Sequence, residues 1–235
     1  HERLRHNLEG IQAEIRESFD ASGRDGPLPR LLAVSKYATG SETLALAEAM
    51  QSLGMPLLLG ENRVQSLASK QAQLLTSELP IQWELIGTLQ RNKAAQAIAT
   101  ASRIQSLDRP AILRRLEVLA AERDLRLRGL IQVHLSQEDT KHGFAPDEVE
   151  AALELAQGCP HLQIEGFMCM AARGSDHESA RPLFAALREL RDRLAPGLRE
   201  LSMGMSQDFK GAILEGSTLV RIGSALFAGA SAEDS

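Results

Sequence analysis

Short apolar runs alternate with longer amphipathic stretches from one end of the chain to the other. Eight of the short runs read as strands: 31–36 (LLAVSK), 57–62 (LLLGEN), 81–87 (IQWELIG), 103–108 (RIQSLD), 127–135 (LRGLIQVHL), 164–170 (IEGFMCM), 198–204 (LRELSMG) and 219–224 (LVRIGS). The first is apolar without a break from Leu31 to Val34, the pattern of a strand buried on both faces. Each gap leaves room for a crossover helix, so the strands are expected to run parallel.

The gaps themselves carry helical stripes. From Ser41, the positions Thr43, Leu44, Leu46, Ala47 and Met50 share one face. Residues 61–78 and 91–102 are patterned alike. Asp108 is expected to cap a helix that has Pro110 in its first turn, and Pro146 to open another over 146–157. A long amphipathic helix over 178–194 is expected to carry Pro182 near its start, and residues 2–19 form an extra helix before the first strand.

Eight βα units in series predict an α/β protein of the closed (β/α)8 TIM-barrel type with an extra N-terminal helix, one domain over residues 1–235. An open doubly wound sheet needs a glycine-rich phosphate loop after its first strand, and Tyr37-Ala38-Thr39-Gly40 does not supply one. The small polar tail over 228–235 is expected to fray.

Composition narrows the function. A net charge of −5, with dispersed cations, argues against a nucleic-acid binder. Only Cys159 and Cys169 occur, giving neither a disulfide framework nor a zinc spacing. They read as buried fillers. No run approaches the length of a membrane span and no export signal is visible, so a cytoplasmic location is expected. The chain opens at His1, so an initiator or a few residues are expected to be missing.

Functional groups of such barrels gather at the C-terminal strand ends. Lys36 closes the first strand there. A partly desolvated amine is a nucleophile, although a solvent-facing lysine gives the same pattern. The loops after strands seven and eight carry Gly204, Ser206, Gly223 and Ser224. Those loops are the usual phosphate cradle of this fold, where backbone N–H groups converge. Arg221 lies within strand eight, either ion-paired or aimed at an acceptor on a ligand. Strand eight adjoins strand one in a closed barrel. An amine, a guanidinium and a phosphate cradle around one pocket match pyridoxal 5′-phosphate (PLP), whose aldehyde takes a lysine, whose phosphate takes the cradle and whose pyridine nitrogen needs a partner. Arginine only donates, so that nitrogen stays neutral and the ring is a weak electron sink.

The motifs AVSK (33–36), GENRVQ (60–65), LIGTLQRNK (85–93), DTKHGF (139–144), GFMCM (166–170), LSMGMSQD (201–208) and GSTLVRIGSALFAG (216–229) resemble, in order, those of the PLP homeostasis proteins, the YggS/PROSC family. The resemblance implies the barrel of alanine racemase and a PLP carrier that takes part in vitamin B6 and amino-acid balance without an established reaction. It implies Lys36 as the Schiff-base (aldimine) lysine and Arg221 as the pyridine partner. Ser206, Gly223 and Ser224 would bind phosphate, Ser202, Met203 and Gly204 would line the pocket, and Asn62 would lie beside the ring. No catalytic residue and no metal are implied. PLP-dependent apoenzymes are possible recipients. Glu84 and Thr88 stand where many members carry histidines. Lys141 offers a second amine for transfer, or simply a solvated loop lysine.

Two other functions compete. An amino-acid racemase needs bases on both faces of the substrate carbon, and the only tyrosine, Tyr37, adjoins Lys36. The second domain that supplies such a base and a dimer contact in alanine racemase is not expected, which also favours a monomer. A Schiff-base aldolase would need poised carboxylates, for which Glu61 and Asp208 are the candidates.

Overall fold

The apolar runs form eight parallel strands, β1 Arg30–Val34, β2 Leu58–Glu61, β3 Gln82–Leu85, β4 Arg103–Leu107, β5 Leu127–Gln132, β6 Leu162–Met168, β7 Glu200–Ser202 and β8 Leu219–Ile222. They close into one barrel in sequence order, and β8 pairs back onto β1 with Leu32 opposite Arg221 and Ala33 opposite Ile222. This is a computed structural model, and it describes residues 2–136 and 142–229. Lys141 and the tail from residue 230 lie outside the described residues.

The helices are α1 Glu2–Ala21, α2 Gly40–Ser52, α3 Val64–Leu74, α4 Ala94–Thr100, α5 Pro110–Ala121, α6 Val149–Gln157, α7 His177–Leu194 and α8 Phe209–Leu214. One helix follows each of the first seven strands. The expected extra helix, α1, packs between α8 and α2 and so takes the place of a helix after β8. Its stripe of Leu4, Leu8, Ile11, Ile15 and Phe19 is buried. The amide of Asn7 donates to the carbonyls of Leu226 at 2.8 Å and Ala228 at 3.0 Å, tying α1 to the segment after β8.

Helix starts differ from expectation in three places. Asp108 does not cap α5. Arg109 holds that position without a side-chain cap, and Pro110 is in the first turn. The Asp108 carboxylate instead accepts from the Arg109 guanidinium at 2.6 Å. Residues 146–148 form a turn, and α6 begins at Val149. Pro182 lies inside α7, because Asp176 starts that helix by accepting from the Ser179 N–H at 2.8 Å. The α2 start is a capping box between Thr39 and Glu42.

Alternation along the strands sorts the residues. Ala33, Leu59, Leu85, Ile104, Leu201, Val220 and Ile222 pack in the main core beneath the helices. Leu32, Leu58 and Leu219 form a separate apolar cluster with Ile86. The alternate positions Glu84, Arg103, Gln105, Glu200, Ser202 and Arg221 are also buried, and they are joined by hydrogen bonds. The barrel interior is therefore apolar on one side and polar on the other. Among the described residues no helix is long and apolar enough to cross a membrane.

Candidate functional site

A cavity of about 310 Å³ opens at the C-terminal ends of β1 and β8, within the usual size range for small ligands. Its wall includes Lys36, Asn62, Ser206, Arg221, Gly223 and Ser224, six residues singled out from sequence.

Lys36 is exposed, the solvent-facing of the two readings that its place after an apolar run allowed. The reason is local. β1 ends at Val34, so Lys36 lies on the following turn, where its Nζ is 4.8 Å from the centre of the Tyr37 ring. The strand end beneath it is held firmly. Buried Lys70 donates to the Ser35 carbonyl and to Glu61, and the Ser35 hydroxyl donates to Glu61 at 2.7 Å. This lock was missed from the sequence, although a lysine on the buried stripe of α3 was its signal.

Arg221 is buried within β8, and burial pushes its guanidinium below the usual arginine range. Its Nη1 donates to the Ser202 hydroxyl at 2.7 Å and its Nη2 to the Cys169 carbonyl at 2.7 Å. No carboxylate is hydrogen-bonded to it directly among the described residues. The Ser206 hydroxyl accepts from the Gly223 N–H at 3.4 Å, which joins the loops after β7 and β8. A Cβ at Gly223 would lie 3.2 Å from the Val34 carbonyl oxygen, so glycine permits the close approach of β8 to β1.

Ser202, Met203 and Gly204 lie behind the cavity and are buried. Ser202 contacts the guanidinium, Met203 belongs to the main core, and the Gly204 carbonyl accepts from the Arg221 N–H at 2.9 Å. They support the wall, whereas the resemblance had them lining it.

Both candidate aldolase carboxylates are engaged. Glu61 is held by Ser35 and Lys70, and Asp208 accepts from the Met205 N–H at 2.6 Å. Glu84 faces the barrel interior while Thr88 is exposed on the rim. A larger basin of about 1130 Å³ adjoins the cavity, sharing Asn62, Ile86 and Met170, and Arg63, Lys93, Arg109 and His142 line it. Beside it, burial holds the Asp108 carboxyl above the ordinary aspartate range despite Arg109.

The donor set suits PLP. A primary amine, a guanidinium, two hydroxyls and a backbone N–H converge on one cavity of small-ligand size. A family model described as alanine racemase, N-terminal domain, matches residues 2–231. A pyridoxal phosphate homeostasis protein of Pseudomonas aeruginosa is 37% identical over 221 residues, covering 94% of this chain and 93% of that protein.

The chain belongs to this family of pyridoxal phosphate homeostasis proteins. A second member, from Aquifex aeolicus, is 34% identical over 230 residues and is covered to 96%. The solved structure of PipY from Synechococcus elongatus with PLP bound superposes with a TM-score of 0.80 at 32% identity, over 95% of this chain and 99% of that one. An alanine racemase of Clostridium difficile shares the fold, with a TM-score of 0.70 at 14% identity over 56% of its length.

Proposed function

We propose that this chain binds pyridoxal 5′-phosphate and serves intracellular PLP and amino-acid balance as a carrier without turnover. The observation that carries the reading is the single cavity that gathers Lys36, Arg221, Ser206 and Ser224. Bound PLP supplies an aldehyde and an electron-withdrawing ring. Lys36 would hold the cofactor through its Nζ at that aldehyde. Arg221 donates to the pyridine nitrogen. Ser206, Ser224 and the Gly223 N–H hold the phosphate, with Asn62 beside the ring and Ser202, Met203 and Gly204 supporting the wall.

Two features favour a carrier. Arginine only donates, so Arg221 would leave the pyridine nitrogen unprotonated and the ring a weak electron sink. Lys36 is open to solvent, so water would reach the point where the cofactor is held, which favours its release. The recipients are PLP-dependent apoenzymes, and the carrier acts as a cytoplasmic monomer.

Absorbance during PLP titration tests this. The wild-type chain is expected to develop a visible band that Lys36→Ala lacks, and amino-acid racemisation is expected to stay at background. A band of equal intensity in Lys36→Ala contradicts the covalent site. Substantial racemisation lost with Lys36→Ala would make the protein an enzyme.

A further inference from the structure

Inside the barrel, a continuous chain of hydrogen bonds leads away from Arg221. The Arg221 Nη1 donates to the Ser202 hydroxyl at 2.7 Å, and that hydroxyl donates to the Gln105 Oε1 at 2.6 Å. The Gln105 Nε2 donates to the Glu84 Oε2 at 2.5 Å. Glu84 in turn accepts from the Arg103 Nε at 3.0 Å and Nη2 at 2.8 Å. Gln105 and Ser202 show no exposure, and Glu84 is 3% exposed, so water does not compete along the way.

The direction of this chain is set at one end. A carboxylate held by Arg103 on both oxygens only accepts. Gln105 must therefore turn its NH₂ toward Glu84 and its carbonyl toward Ser202. The Ser202 proton then points at Gln105, which leaves the hydroxyl oxygen as the acceptor for Arg221. Aligned dipoles in a low-dielectric interior strengthen one another. Nothing in the cavity wall is needed to impose this order.

We infer that Glu84, through Gln105 and Ser202, fixes the Nη1 side of the Arg221 guanidinium, whose Nη2 the Cys169 carbonyl holds, and so sets the hydrogen bond that Arg221 offers the cofactor's ring nitrogen. This rests on the PLP reading above. Glu84 and Gln105 are positioning residues, since the cavity wall includes neither. A histidine ring at position 84 would present one donor and one acceptor, and would leave the polarity of Gln105 unset.

The test loads the full-length chain with PLP carrying ¹⁵N in the pyridine ring and reads the ring-nitrogen resonance. Glu84→Gln and Gln105→Met are expected to move that resonance away from the wild-type position, toward free pyridine, and to weaken PLP retention about tenfold, the scale of one charge-assisted hydrogen bond. Gln105→Met leaves the Glu84–Arg103 pair intact, so it decides the matter if Glu84→Gln fails to fold. A resonance in folded Gln105→Met identical to wild type overturns the relay. A wild-type chain that leaves the labelled PLP free removes the PLP reading, and the relay with it.

Discussion

A methyl group on Gly204 would lie 2.6 Å from the Ala212 Cβ and 2.9 Å from the Phe209 Cα, and the residue already has φ +97°. Gly204→Ala is therefore expected to lose about 2 kcal/mol or more of stability, read as a lower unfolding midpoint in calorimetry. At this scale the sequence exposed what sits at strand ends. Lys36, Asn62, Ser206, Arg221, Gly223 and Ser224 were legible because fold class alone puts those ends at one mouth. Gln105 and Lys70 were not. Their partners Ser202 and Ser35 lie 97 and 35 residues away in sequence, and a polar residue within an apolar run carries no mark of which distant group it meets.

The elements were legible as units and less so at their edges. All eight strands fall within or across the apolar runs, because a barrel buries both faces of each strand. Edges depend on which side chain captures a local N–H: the Asp108–Arg109 ion pair took Asp108 from its expected cap, and the Asp176 cap prevailed over the position of Pro182. The role of α1 followed from packing alone. Nothing in residues 2–19 states that they occupy the slot after β8. Leu8 is fully buried on that helix, and Leu8→Ala is expected to destabilise the protein by about 3 kcal/mol, measured by denaturant unfolding. A change below about 0.5 kcal/mol would mean that α1 is not part of the cooperative unit.

For the whole barrel, the consequence of a half-polar interior is pH dependence. Arg103 is 1% exposed and joins Glu84, Glu165 and Glu200. Burial alone would lower its pKa, but Glu84 and Glu200 reverse that and raise it. Burial also opposes ionisation of Glu200, yet Arg103, Thr218 and Arg30 outweigh it and hold the carboxyl below the ordinary glutamate range. The native pKa is thus the depressed one. The stability that Glu200 contributes is present above the unfolded value, about 4.3, and disappears as pH falls through the lower native value. Thermal midpoints of the wild type are expected to drop more steeply below about pH 4.3 than those of Glu200→Gln, which has already lost that term. Parallel curves would show that Glu200 carries no such linkage. Removing one partner of such a buried group costs about 3–5 kcal/mol, so Glu200→Gln is also expected to be less stable at neutral pH.

The central claim is that one exposed amine at the mouth of β1 captures PLP. The most direct measurement is borohydride reduction of the PLP-loaded protein followed by peptide mass mapping. The pyridoxyl mass is expected on the peptide that contains Lys36. Its appearance on Lys70, Lys93, Lys141 or Lys210 instead, or on no lysine at all, would contradict the account.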